Sequence, residues 1–348
     1  MKPEKPKPKQ GLSDILSGMS KDMQSCYVDM TKVPEDAPHI DSGSDVINLI
    51  SGIGGFPIGG LVEIAGEYSS GKTTLALACA SKVQAKGGTI LFVDFEQAFD
   101  PYYAKSLGVN LTSPDCGGNF VLLQPETLED GWNSIQKMVG TGEVSLVIID
   151  SIAAGTPKLV IEGEAGEGRI GLQASLLAPE YNKLAYKCRK TGCTALLLNQ
   201  IRIHIEKRGM QMIVTKDTSG GHALKHYCLM RLWMQILQKV EDTKELGGDK
   251  TFVANKVRCQ LIKNKCGKPY TTGILVIRYG EGIDNESALL DMAIEEEIII
   301  QKGPYFTLAD PAGGDAIKIL GREATRERLV IDSEYRAAIE KRLRESRV

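Results

Sequence analysis

Short apolar runs alternate with longer amphipathic stretches through the middle of the chain. Leu61–Ala65 (LVEIA), Thr89–Val93 (TILFV), Phe120–Leu123, Ser145–Ile149 and Thr194–Leu198 read as buried strands. Lys72–Lys86 reads as a helix stopped by Gly87-Gly88. Continuous apolar strands separated by helices predict an α/β fold, with a mostly parallel central sheet covered on both faces. Upstream, Leu12, Ile15, Leu16, Met19 and Met23 recur at spacings of three and four, the apolar stripe of a short helix. Pro34–Asp45 reads as a linker and Gly52–Gly60 (GIGGFPIGG) as a run of turns. From about Tyr270 the pattern becomes mixed and more charged. It ends in an amphipathic helix over Asp332–Ser346, with Tyr335, Ile339 and Leu343 four apart.

Charge and composition narrow the classes. The chain has 348 residues, a net charge of −2 and 42% hydrophobic residues, which excludes a wholly basic nucleic-acid binder. Any nucleic-acid contact must rest on local charge. No run approaches the roughly 18 apolar residues of a membrane span, and Met1–Gln10 is a Lys/Pro-rich tail rather than a secretory signal. Eight cysteines without a CxxC pair suit reduced thiols and a cytoplasmic location. Four histidines without zinc-ligand spacing leave no metal cage in view.

One motif carries chemistry. Gly66-Glu67-Tyr68-Ser69-Ser70-Gly71-Lys72-Thr73 fits G-x-x-x-x-G-K-[ST] in full, between a predicted strand and a predicted helix. Its glycines let backbone N–H groups curl toward phosphate oxygens, and the helix N-terminus adds positive potential. Lys72 is expected at the β- and γ-phosphates of ATP, and Thr73 on Mg²⁺. The strand Leu146–Ile149 ends in Asp150, which is expected to hold a water on the same Mg²⁺ at the ligand-binding edge of the sheet. Glu96, just past the strand that ends near Asp94, reads equally as a carboxylate that activates an attacking water and as a solvent-facing side chain.

At these residues the sequence resembles the bacterial RecA family. IGGLVEIAGEYSSGKTTLALACA is similar to that family's P-loop region, which brings in Thr74. VDFEQAFDPYYAKSLGV resembles its catalytic-glutamate segment and the adenine-contacting turn that follows, with Glu96, Asp100 and Tyr103. LLLNQIR resembles the strand whose Gln, here Gln200, senses the γ-phosphate. SGGHALKHY, with Gly220 and Gly221, resembles the segment closing the second DNA-binding loop, and IKNK resembles a lysine pair, here Lys263 and Lys265, that reaches a neighbouring subunit's ATP.

The resemblance implies a helical homo-oligomeric filament on single-stranded DNA, pairing and exchanging strands with double-stranded DNA while hydrolysing ATP. Glu96 is then the base and Lys263 and Lys265 act in trans. Tyr103 stacks on adenine, with Tyr279 over its other face. The implied division is a disordered basic tail over 1–10, a polymerisation helix and linker over 11–40, an ATPase core over 41–284 and a C-terminal domain over 285–348. Two DNA loops are expected. One spans about 162–171 and carries Arg169 and Ile170. The other spans about 202–219 and carries Arg202, Lys207 and Arg208, with a local positive excess suited to phosphates. On residues alone the second segment reads better as a β-hairpin or mobile surface loop with an ordinary charge mix.

The chain also departs from the family. Glu67-Tyr68 replaces Pro-Glu after the first loop glycine, His226 replaces a Phe, and the C-terminus (KRLRESRV) is basic rather than acidic. Such divergence suits a bacteriophage-encoded member acting in a bacterial cytoplasm. A ring-forming motor and a non-catalytic paralogue share the Walker motifs. A motor would normally use an Arg where the lysine pair stands, and a paralogue would lose Glu96 or the pair.

Overall fold

A computed structural model describes residue 18 and residues 37–162, 171–208, 211–241, 252–308 and 317–347. The expected helix over 11–23, and Arg169 and Ile170, lie outside them. In chain order the elements begin with β1 (His39–Ile40), α1 (Asp45–Ser51), β2 (Phe56–Pro57), β3 (Leu61–Gly66), α2 (Lys72–Ala85), β4 (Thr89–Asp94) and α3 (Pro101–Ser106). There follow β5 (Phe120–Leu123), α4 (Leu128–Thr141), β6 (Val144–Asp150), α5 (Lys158–Glu162), α6 (Leu172–Thr191), β7 (Thr194–Arg208), β8 (Gln211–Thr218), α7 (Gly221–Tyr227) and β9 (Cys228–Glu241). The chain ends with β10 (Phe252–Asn264), β11 (Thr272–Arg278), β12 (Gly282–Ile283), α8 (Asn285–Glu295), β13 (Ile299–Lys302), β14 (Tyr305–Leu308), β15 (Ile317–Leu320), α9 (Arg322–Ile331) and α10 (Ser333–Arg347). Among the described residues no helix is long and apolar enough to cross a membrane.

The central sheet runs β12-β11-β10-β9-β3-β7-β6-β4-β5, with β8 paired to β7. From β9 to β5 all neighbours are parallel, while β10 to β12 add antiparallel strands. The apolar runs alternate between two cores, as a strand's period of two requires. Ile90, Phe92, Leu146, Ile148, Leu196 and Leu198 face α2 on one side. Leu91, Val93, Val147, Ile149, Ala195 and Leu197 face α4 and α6 on the other. Both faces are thus sealed, which is why these strands read as unbroken apolar runs.

Three features differ from the sequence pattern. The strand beginning at Thr194 does not stop at Leu198. It continues to Arg208 and turns back as β8, pairing from Ile201↔Thr218 to Arg208↔Gln211. Part of the supposed linker is ordered: β1 pairs with β2, and Ser42 and Ser44 are buried. Finally, α8 and α10 place Leu289, Leu290, Tyr335, Ile339 and Leu343 in the same core as α2 and β3, and Arg336 pairs with Asp45 and Glu286.

The centre of the sheet also carries charge. Glu63 on β3 is fully buried and ion-paired to Arg231 on β9. Its other oxygen accepts the Asn199 amide at 2.9 Å, and Arg231 also reaches the Thr218 hydroxyl at 3.3 Å. Breaking such a pair from one side leaves an uncompensated buried charge. Arg231→Ala is therefore expected to cost about 3–5 kcal/mol in urea unfolding. A loss below about 1 kcal/mol, the range of an exposed pair, would contradict this account of the sheet centre.

Candidate active site

The phosphate loop begins where β3 runs out of room for side chains. A Cβ on Gly66 would lie 2.5 Å from Ser70 Oγ and 2.7 Å from the Met234 carbonyl oxygen on β9. Gly71 has φ 85°, and its Cβ would strike Ile277 at 2.2 Å. The loop folds on itself: Ser70 Oγ donates to the Glu67 carbonyl at 2.8 Å. It then delivers the chain into α2, whose first turn offers free N–H groups to an anion.

Lys72, the first residue of α2, donates to the carbonyls of Gly66 at 3.2 Å and Glu67 at 2.8 Å. Burial lowers its pKa, against the opposing pull of Asp150, Glu96 and Glu67. Thr73 Oγ1 donates to Asp150 Oδ2 at 2.8 Å. The Asp150 pKa is pushed up to about 6, first by burial and then by Glu96 and Asp94, against the Thr73 hydrogen bond and Lys72. A hydroxyl and a carboxylate at this spacing form an oxygen donor set of the kind Mg²⁺ prefers.

Beside the loop lies a cleft of about 390 Å³ lined by Ser69, Lys72, Thr74, Tyr103, Asn255 and Tyr279. Its two aromatic flanks are anchored: Tyr103 Oη and Thr74 Oγ1 lie 2.8 Å apart, and Tyr279 donates to Asn255 Oδ1 at 2.7 Å. Asp100 caps α3, its Oδ1 accepting the N–H groups of Tyr102 at 2.8 Å and Tyr103 at 3.1 Å. It thereby fixes the first turn of α3, on which Tyr103 stands.

The catalytic carboxylate expected at Glu96 is exposed and held from several sides. Ser151 Oγ donates to Glu96 Oε1 at 2.5 Å, and Gln200 Nε2 lies 3.5 Å from the same oxygen. The Tyr68 hydroxyl donates to Gln200 Oε1 at 3.2 Å. Below them, buried Asp94 accepts the N–H groups of Glu96 at 3.1 Å and Phe99 at 3.0 Å and the Gln124 amide at 3.0 Å, which shapes the turn carrying Glu96. The structure thus gathers Lys72, Thr73, Asp150, Glu96 and Gln200 at one edge of the sheet.

Lys263 and Lys265 are not among them. Lys263 donates to the carbonyls of Lys225 at 2.5 Å and His226 at 3.1 Å, at the end of α7, while Lys265 is exposed. Burial lowers the Lys263 pKa, with Lys265 adding to the effect. Arg202, Lys207 and Arg208 fall on the β7–β8 ribbon, their side chains outside the described residues. Gly220 and Gly221 start α7 with φ 91° and 75°; a Cβ on Gly220 would meet the Tyr181 hydroxyl at 2.5 Å.

Sequence reading missed several supporting residues. Ser151 follows the Walker B aspartate directly, so adjacency was its only signal. Asn199 precedes Gln200 and looked like part of a motif, not the donor to Glu63 and to the Ser219 carbonyl at 2.8 Å. Asp94 was read only as the end of a strand. Asn255, which joins Tyr279 to the Ser69 carbonyl at 3.4 Å, carried no signal at all.

A glycine-bounded phosphate loop between strand and helix, with a carboxylate-ended strand two positions away in the sheet, defines a P-loop nucleotide-binding protein. The RecA N-terminal domain model matches residues 16–284. Protein RecA of Borreliella afzelii is 39% identical over 305 residues, 88% of this chain and 79% of that one. Protein RecA of Clostridium botulinum is 38% identical over 306 residues, and that of Levilactobacillus brevis 36% over 305, each covering 88% of this chain and 80% and 76% of theirs. A crystal structure of the RadB recombinase aligns at a TM-score of 0.49 and 21% identity, over 70% of this chain and 98% of that one. The chain belongs to the RecA family and is a DNA recombination protein.

The Asp150 proton gives a pH signature. Below about pH 6 the carboxyl holds its proton and opposes a divalent cation; above it the charged form favours one. Mg²⁺ affinity in the presence of nucleotide, measured by calorimetry, is expected to fall as pH drops through about 6. Asp150→Asn should flatten that dependence. An equally steep fall in the variant would place the titrating group elsewhere.

Proposed function

We propose that this protein is an ATP-dependent recombinase. It assembles as a helical filament on single-stranded DNA, searches double-stranded DNA for homology and exchanges strands, with ATP hydrolysis stimulated by DNA. The convergence of Lys72, Thr73, Asp150, Glu96 and Gln200 at the edge of one sheet carries this reading. Gln200 stands on the strand that continues as the β7–β8 ribbon.

The phosphates of ATP lie against the Gly66–Thr73 backbone, where Lys72 exchanges its two carbonyl partners for β- and γ-phosphate oxygens. Thr73 and Asp150 would hold Mg²⁺, which would neutralise charge developing on the phosphates. Tyr103 and Tyr279 flank the base, with Asp100 holding Tyr103 in place. Glu96 accepts the proton of the attacking water, its carboxylate steadied by Ser151. Gln200 donates its amide to the γ-phosphate and reports it along β7 to Arg202, Lys207 and Arg208 on the ribbon, which contact DNA phosphates. Gly220 and Gly221 form the pivot at the ribbon's return. Arg169 and Ile170 supply the other loop's contacts to DNA. Lys263 and Lys265, placed away from their own subunit's cleft, complete the site of the next subunit in the filament.

ATP hydrolysis with and without single-stranded DNA is the test. The wild type should be strongly stimulated, and Glu96→Ala should lose about 10²- to 10⁴-fold of the stimulated rate, the contribution of a positioned general base. Hydrolysis indifferent to DNA, or a Glu96→Ala rate equal to wild type, would overturn the reading. Lys72→Ala should abolish strand exchange in the same preparations.

A further inference from the structure

The phosphate loop carries an exposed aromatic that phosphate binding does not require. The side chain of Tyr68 is 78% exposed, so its ring is not held by burial, yet its hydroxyl reaches across to β7. It donates to Gln200 Oε1 at 3.2 Å, while the other end of the same amide, Nε2, lies 3.5 Å from Glu96 Oε1. That carboxylate oxygen already accepts the Ser151 hydroxyl at 2.5 Å.

These contacts allow one amide orientation. A carboxylate accepts only, so the NH₂ end of Gln200 must face Glu96. The oxygen end then faces the loop, where it needs a donor. Among the described residues the donor to that oxygen is the Tyr68 hydroxyl. A Phe there would leave the oxygen to water and the amide free to rotate. A Glu there would draw the NH₂ end toward the loop and away from Glu96.

We propose that Tyr68 is a positioning residue for Gln200: its hydroxyl fixes the amide so that the NH₂ end points at Glu96 and the γ-phosphate. The inference rests on the recombinase reading given above and deepens it. Tyr68 makes the phosphate loop itself part of the γ-phosphate sensor, so that a displacement of the loop on nucleotide binding moves Gln200 directly. The group sensed is a nucleoside triphosphate's terminal phosphate; a diphosphate offers Gln200 nothing to contact.

Tyr68→Phe removes the hydroxyl and keeps the ring. The full-length protein, with Mg²⁺, is compared as wild type, Tyr68→Phe, Gln200→Ala and the double variant, by competition of ADP and ATPγS against a fluorescent nucleotide. The preference for ATPγS over ADP should fall about three- to tenfold in Tyr68→Phe, the range of one hydrogen bond, the loss falling on ATPγS. In the Gln200→Ala background the same substitution should change nothing further, because the amide it orients is gone. A wild-type preference in Tyr68→Phe would overturn the proposal. An equal loss in both backgrounds, or parallel losses for ADP and ATPγS, would also overturn it by assigning Tyr68 a packing role. A wild type that binds neither nucleotide would sink the recombinase reading itself, and the positioning role with it.

Discussion

The site depends on the register of four parallel strands. Gly66 at the end of β3 pairs opposite Gln200 on β7, and Asp94 at the end of β4 pairs opposite Asp150 on β6. Ladder hydrogen bonds fix these pairings, and a slip of one residue would turn every side chain to the opposite face. The phosphate loop, both carboxylate-bearing strands and the glutamine therefore reach the same edge together. No separate device is needed to bring them there.

Buried charge strengthens that register on one side. Glu63 joins Asn199 and Arg231, and Asn199 and Arg231 reach Ser219 and Thr218, so β3, β7, β9 and the foot of the ribbon share one polar network. The Glu63 carboxylate, the Asn199 amide and the Arg231 guanidinium each have partners within it, while the buried Ser219 hydroxyl beside them has none among the described residues. Gln200 thus stands between a clamped stretch of β7 and the stretch that continues into the ribbon. Lys263, on β10, caps the carbonyl end of α7 immediately after the ribbon's return. The lysine proposed to reach a neighbour's ATP thus touches the helix that directly follows the ribbon, the proposed DNA loop.

Much of this was legible from the chain alone. The apolar runs gave five strands of the parallel sheet because both of its faces are buried, so no polar alternation interrupts them. The P-loop was legible because its glycines answer to hard geometry: Gly66 abuts the Met234 backbone and Gly71 sits at φ 85°. Other parts left a partial local trace or none. The ribbon was open to a hairpin reading from the alternation Ile201, Ile203, Ile205, but its extent and register are decided by pairing between β7 and β8. Glu63 within LVEIA carried no signal of its role, because its partners Asn199 and Arg231 lie more than a hundred residues away. Ser151 and Asp94 serve Glu96 through folded geometry, and the contacts of α8 and α10 with the main core depend on tertiary packing that spacing cannot express.

Electron cryomicroscopy of the protein on single-stranded DNA with Mg²⁺ and ATPγS tests the central claim most directly. The account predicts an open helical filament in which one subunit holds the triphosphate between its Gly66–Thr73 loop and Glu96, and the next subunit brings Lys263 and Lys265 to the γ-phosphate. A closed ring, or a filament in which those lysines stay away from the neighbour's nucleotide, would contradict it.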